Sequence, residues 1–136
     1  MRTPRKRVVG LTISMLVIAL TLAVSALASS SVKYSGSVGT ASLGLTAKVS
    51  SGKIVAVKSF VWDGLKCGSD RFTGGSSEVI KVKNNSFSST QPVGGVSVPL
   101  KMVVTGKFTN GKASGTLRIK GGCSTGKIAK IWKAHS

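Results

Sequence analysis

The strongest constraint on this chain is the dipeptide Asn110-Gly111, set between two runs that alternate apolar and polar residues, Lys101 to Thr109 and Lys112 to Lys120. Asn-Gly favours a two-residue type I′ hairpin turn, because both central positions need φ > 0. Fixing that turn fixes the register of the strands it joins. Phe108 then faces Ala113, Gly106 faces Gly115, Val104 faces Leu117 and Met102 faces Ile119. The other side carries Thr109 with Lys112, Lys107 with Ser114, Thr105 with Thr116, Val103 with Arg118, and Lys101 with Lys120. One face is core and the other is cationic, so the rest of the domain is expected to pack on the first.

The opening segment has a different character. Arg2, Arg5, Lys6 and Arg7 precede an uncharged apolar run from Val8 to Val24, and Ala26-Leu27-Ala28 follows with small residues where a signal peptidase reads them. This is the layout of a secretory signal peptide. A retained membrane anchor is the alternative, although the run is somewhat short for a span of about 20 residues. The expected organisation is therefore a signal helix over 1–28 and one domain over 29–136. No Cys follows the apolar run, against a lipoprotein, and no second long apolar run exists, so the domain is expected to be soluble.

The signal segment holds four of the twenty basic residues, leaving sixteen against Asp63, Asp70 and Glu78, a formal +13. Fourteen of the sixteen are Lys; only Arg71 and Arg118 are Arg. Lys is a hydrated point charge, whereas Arg makes bidentate contacts. That ratio points to diffuse attraction to a polyanion rather than specific readout. Solvated Lys on strand surfaces also serve solubility and discourage edge-to-edge aggregation.

Two cysteines remain, Cys67 and Cys123, 56 positions apart. In an exported protein a single disulfide is the default, ahead of free thiols or a metal pair. Closing such a loop stabilises a fold by roughly 4 kcal/mol, less any strain.

Strand signals recur along the domain. Val32 to Tyr34 suggests a short first strand, and Ala41 to Val49 alternates with period two. Ser51-Gly52 reads as a turn and Ile54 to Trp62 as the partner strand. With a two-residue loop, Val49 faces Ile54, Ala47 faces Ala56 and Leu43 faces Phe60, but Leu45 falls opposite Lys58. That mismatch calls for a longer loop or a bulge. Asp63 to Ser77, with four glycines, reads as a long irregular connection, the kind that carries function. Glu78 to Val82 resumes strand character, Lys83 to Ser86 turns, Gln91 to Gly95 connects, and Val96 to Leu100 leads into the hairpin. Ile128 to Ala134 is the last strand, with Trp132 inward. Gly106 opposite Gly115 leaves a bare spot for a ring such as Trp62 or Trp132, or marks strong sheet coiling. The expected fold is all-β: an antiparallel β-sandwich, jelly-roll-like, or a small open barrel.

The residues Phe108 to Arg118, then Cys123-Ser124-Thr125-Gly126, then Trp132-Lys133-Ala134 resemble a pattern in small exported bacterial all-β proteins of unassigned activity. There a Phe-x-Gly-like turn, an Ala-x-Gly-Thr strand and a Cys-x-Thr-Gly loop precede a Trp-x-Ala strand, with an upstream Cys in the position of Cys67. The resemblance covers about the last 30 residues well. It implies the fold, the disulfide and export, and carries over no catalytic residue.

An enzyme needs a nucleophile, a base or a metal cluster. The one His, His135, sits beside the last residue, where fraying is expected. Asp63, Asp70 and Glu78 are close enough in sequence for an oxygen-ligand Ca²⁺ site, but Lys58, Lys66, Arg71, Lys81 and Lys83 compete for them. No catalytic residue, metal or cofactor is expected. The expected role is a non-catalytic, monomeric, cell-surface or wall-associated binding module. Its candidate anion-binding residues are Lys101, Lys107, Lys112, Arg118 and Lys120. The partners would be an anionic cell-wall polymer, acidic polysaccharide or anionic lipid headgroups, without specific nucleic-acid binding. The alternatives are a secreted cationic toxin or antimicrobial factor, and an enzyme built on Asp63 to Ser77.

Overall fold

The computed structural model describes residues 29–121 and 127–136. The expected signal helix at 1–28 and Cys123, half of the expected disulfide, lie outside these residues. The strands are β1 (Ser29–Val38), β2 (Ala41–Ser50), β3 (Lys53–Cys67), β4 (Asp70–Ser76), β5 (Ile80–Lys81), β6 (Ser86–Gly94), β7 (Lys101–Thr109), β8 (Lys112–Lys120) and β9 (Lys127–His135). Each of the eight longer strands pairs antiparallel with its neighbour, and β1 also pairs with β9. The result is a closed eight-stranded up-and-down barrel, with the short β5 pairing with β3 at Ala56 and Val57 and placing Ile80 in the core. This corrects the expected sandwich or open barrel. A sandwich needs connections that cross between two sheets; here consecutive ring strands are neighbours, and the sheet coils until the last meets the first.

The 101–120 hairpin has the register that its turn dictates, from Lys101 opposite Lys120 to Thr109 opposite Lys112. Asn110 and Gly111 have φ of 48° and 73°, as type I′ requires. Between β2 and β3 the register shifts twice, so Leu45 meets Phe60, Leu43 meets Trp62 and Ala47 meets Val57. These irregularities remove the Leu45–Lys58 mismatch: Lys58 is exposed and Phe60 is buried.

The irregular connection expected at Asp63 to Ser77 is instead a hairpin. β3 runs on to Cys67, turns at Gly68-Ser69 and returns as β4, with a bulge between Trp62 and Leu65. The glycines that read as loop serve close approach: a Cβ on Gly75 would lie 2.6 Å from the Phe60 carbonyl oxygen. Gln91 to Gly94, expected as a connection, is the end of β6, and the actual loop is 95–100. Pro92 is tolerated there because its carbonyl, which accepts from Ser77 Oγ at 2.8 Å, faces the β4 side, where the backbone ladder has ended.

The seven aromatic residues of the chain form one file of ring contacts inside the barrel. From one end to the other they run Phe72, Trp62, Phe60, Trp132, Phe87, Phe108, Tyr34, with successive centroids 5.3 to 6.3 Å apart. Phe60, Trp62 and Trp132 are wholly buried. Gly106 and Gly115 make room for this file, and both readings of the bare spot hold. A Cβ on Gly106 would lie 2.3 Å from Phe87 and 2.6 Å from Trp132. One on Gly115 would lie 1.8 Å from the Thr105 carbonyl oxygen, the same atom that accepts the Trp132 indole N–H at 3.0 Å.

Candidate functional site

Along the barrel wall small polar and basic side chains mostly alternate outward with the apolar residues that fill the interior, Val55, Val61 and Ile131 being outward exceptions. None of the seven rings is exposed, so the outer wall offers charge and hydroxyls rather than aromatic stacking.

Lys101, Lys107, Lys112, Arg118 and Lys120 are all exposed. Lys101 and Lys120 are direct cross-strand partners, with Arg118 two residues along β8. Lys107 and Lys112 sit at the other end of the same hairpin, six residues from Lys101 in the first case, or about 20 Å. Between the groups lies a band of Thr105 and Thr116, whose hydroxyls bond at 2.7 Å, beside exposed Ile131. The five residues therefore form two groups on one wall rather than one cluster. Lys133 extends the upper group through the row Lys107, Ser114, Lys133. Its alternation with inward Trp132 was the sequence signal for it.

The distribution of acids sharpens this pattern. Asp63 and Asp70 lie on β3 and β4, and Glu78 lies between β4 and β5. The six contiguous strands β6, β7, β8, β9, β1 and β2 carry ten basic residues and no acid. A wall of one sign builds a field that acts beyond contact distance.

The acids do not converge. Asp63 accepts from the Thr73 hydroxyl, and Asp63, Asp70 and Glu78 are all exposed. Among the described residues no group of three His, Cys, Asp or Glu is placed to hold a metal ion. His135 does not fray: it pairs with Lys112 on β8 and with Ser35 on β1. Cys67 ends β3 half-buried and is not a free thiol.

The barrel's two mouths differ. At one, β4 and β6 pair only at Gly75–Gly94 and Ser76–Val93 and then diverge. The splay leaves a cleft of about 760 Å³ between the β3–β4 hairpin and the 95–100 loop, with Phe72 and Leu100 among its lining. At the other mouth three two-residue turns, Ser51-Gly52, Asn84-Asn85 and Asn110-Gly111, come together, all six residues with φ between 48° and 75°. They rim a cavity of about 470 Å³ that Tyr34, Lys53 and Lys107 also line. Burial pushes the Tyr34 phenol above its ordinary value.

Comparison with known protein families, with curated proteins and with solved structures finds no match to this chain.

Proposed function

We propose that this chain is an exported, non-catalytic β-barrel that binds anionic polymers of a cell surface or wall through its acid-free lysine-rich face. The observation that carries this reading is the segregation of charge: ten basic residues and no acid on six adjacent strands, with Lys101 set directly against Lys120. Like charges directly opposite are unfavourable unless an anion bridges them. Predominance of Lys and the lack of an exposed ring among the described residues favour electrostatic attraction to a repeating anion over base-specific or stacking recognition. In the same reading, residues 1–28 direct export, Cys67 pairs with Cys123, and the domain acts as a monomer. The likeness of the C-terminal pattern to small exported all-β proteins supports that location.

The test is retention of the purified protein on an anionic polymer as salt is raised, against a variant with Lys101, Lys107, Lys112 and Lys120 changed to Gln. Release of counterions makes such binding steeply salt-dependent. The expected result is late elution of the wild type and a loss larger than four Lys→Gln changes off that face, at Lys58, Lys66, Lys81 and Lys83, produce. Equal elution of the two quadruple variants would show that only net charge matters and would sink the proposed face.

A further inference from the structure

The mouth rimmed by the three type I′ turns is more than the end of the cationic wall. Its lining includes Asn84, Asn85 and Asn110, Lys53 and Lys107, and Tyr34. No acid lines it. Among the described residues, none of these six side chains makes a hydrogen bond or ion pair. Backbone bonds hold the rim in place: the Phe108 N–H donates to the Asn85 carbonyl at 2.8 Å, and the Ser136 N–H to the Gly111 carbonyl at 2.9 Å. Unengaged polar groups on a fixed frame are what a preorganised ligand site offers.

We propose that this mouth binds an anionic saccharide unit, a sugar ring bearing one carboxylate or one phosphate. The ligand class follows from the donor set. Lys53 and Lys107 supply charge and donors only, whereas each Asn side chain supplies two donors and an acceptor. That mixture matches hydroxyl groups, which both give and accept. A cavity of about 470 Å³ has room for one or two sugar rings. A nucleobase is disfavoured because the Tyr34 and Phe108 rings at the floor are each only 5% exposed and present no stacking face. The inference deepens the anionic-polymer reading and rests on it: the mouth takes one unit of the polymer, and Lys107 belongs to both the mouth and the wall.

The experiment titrates the full protein calorimetrically with glucose 6-phosphate, glucuronate, glucose and inorganic phosphate. Binding of either anionic sugar is expected, and which one binds identifies the charged group. Glucose and phosphate alone are each expected to bind about tenfold or more weakly, since each lacks one half of the recognised chemistry. The decisive variant is Asn84→Gly with Asn110→Gly, which deletes two carboxamides while keeping residues that accept φ > 0. It should bind the anionic sugar about tenfold more weakly with an unchanged unfolding midpoint. A wall variant, Lys101→Gln with Arg118→Gln and Lys120→Gln, should lose polymer retention and keep sugar binding. Thus failure of the wall and failure of the mouth are separable. Absence of binding by both anionic sugars, equal binding of phosphate and glucose 6-phosphate, or unchanged affinity in the Asn variant would each overturn the proposal.

Discussion

The Gln91 carboxamide closes the barrel by gripping the backbone of Glu78. Its Oε1 accepts the Glu78 N–H at 2.8 Å and the Ser77 N–H at 2.7 Å, and its Nε2 donates to Ser89 Oγ at 2.9 Å. Gln91 is 2% exposed, the one polar residue in the core among those described. It lies where the β4–β6 ladder has shrunk to two residue pairs. One side chain there replaces the missing strand-to-strand bonds.

Gln91→Leu is therefore expected to destabilise the domain more than its added apolar surface stabilises it. Two part-buried backbone donors lose their acceptor, at about 1 kcal/mol for each hydrogen bond lost. Chemical denaturation would read the change. Amide exchange should quicken first at residues 76–79, because this seam opens before the rest.

Gly106→Ala and Gly115→Ala should both destabilise, by different routes. At Gly106 the added methyl meets the rings of Phe87 and Trp132. Overpacking of that kind costs typically 1–3 kcal/mol, or about that here. At Gly115 it meets the Thr105 carbonyl oxygen, and backbone yields less readily than a ring. The larger loss is expected at Gly115, with a shift in Trp132 emission as its bond to Thr105 is disturbed.

Lys120→Glu should stabilise the β7–β8 hairpin by about 0.2–1 kcal/mol, because a like-charge cross-strand pair becomes an opposite one. The gain should shrink with salt. Retention on an anionic polymer should fall in the same variant, so that stability and binding move in opposite directions.

Alkaline pH should unfold the protein partly through Tyr34. Burial raises its folded-state pKa above the ordinary 10.0. The folded state thus holds the phenolic proton more tightly than the unfolded one. The associated stability is complete below about pH 10 and is lost as pH climbs through the folded value. Tyr34→Phe should flatten that part of the stability profile, in a comparison that leaves every lysine titration in place.

The 101–120 hairpin was readable to the residue because Asn110-Gly111 permits one turn and one register. The β2–β3 irregularities were readable only as a discord, Leu45 against Lys58, since pattern shows that a bulge is needed but not where it falls. The β3–β4 hairpin was misread because glycines at 64, 68, 74 and 75 look the same whether they relieve crowding within strands or loosen a loop. Closure was the least legible feature. It depends on β1 meeting β9 across most of the chain, and on a carboxamide standing in for a ladder. Neither leaves a local periodicity. The cationic wall was visible through its hairpin, but Lys133 and the convergence of the three turns needed the ring of strands to bring them together.

The pairing of β1 with β9 also has a kinetic meaning. Val38 finds Trp132, and Ser35 finds His135, only after almost the whole domain is available. Such distant partners make ring closure a late and slow step, because chain entropy is lost before those contacts form. Until β9 arrives, β1 has one bare edge, and the nascent domain remains an open, loosely held sheet. The ring is complete only once that last strand is in place.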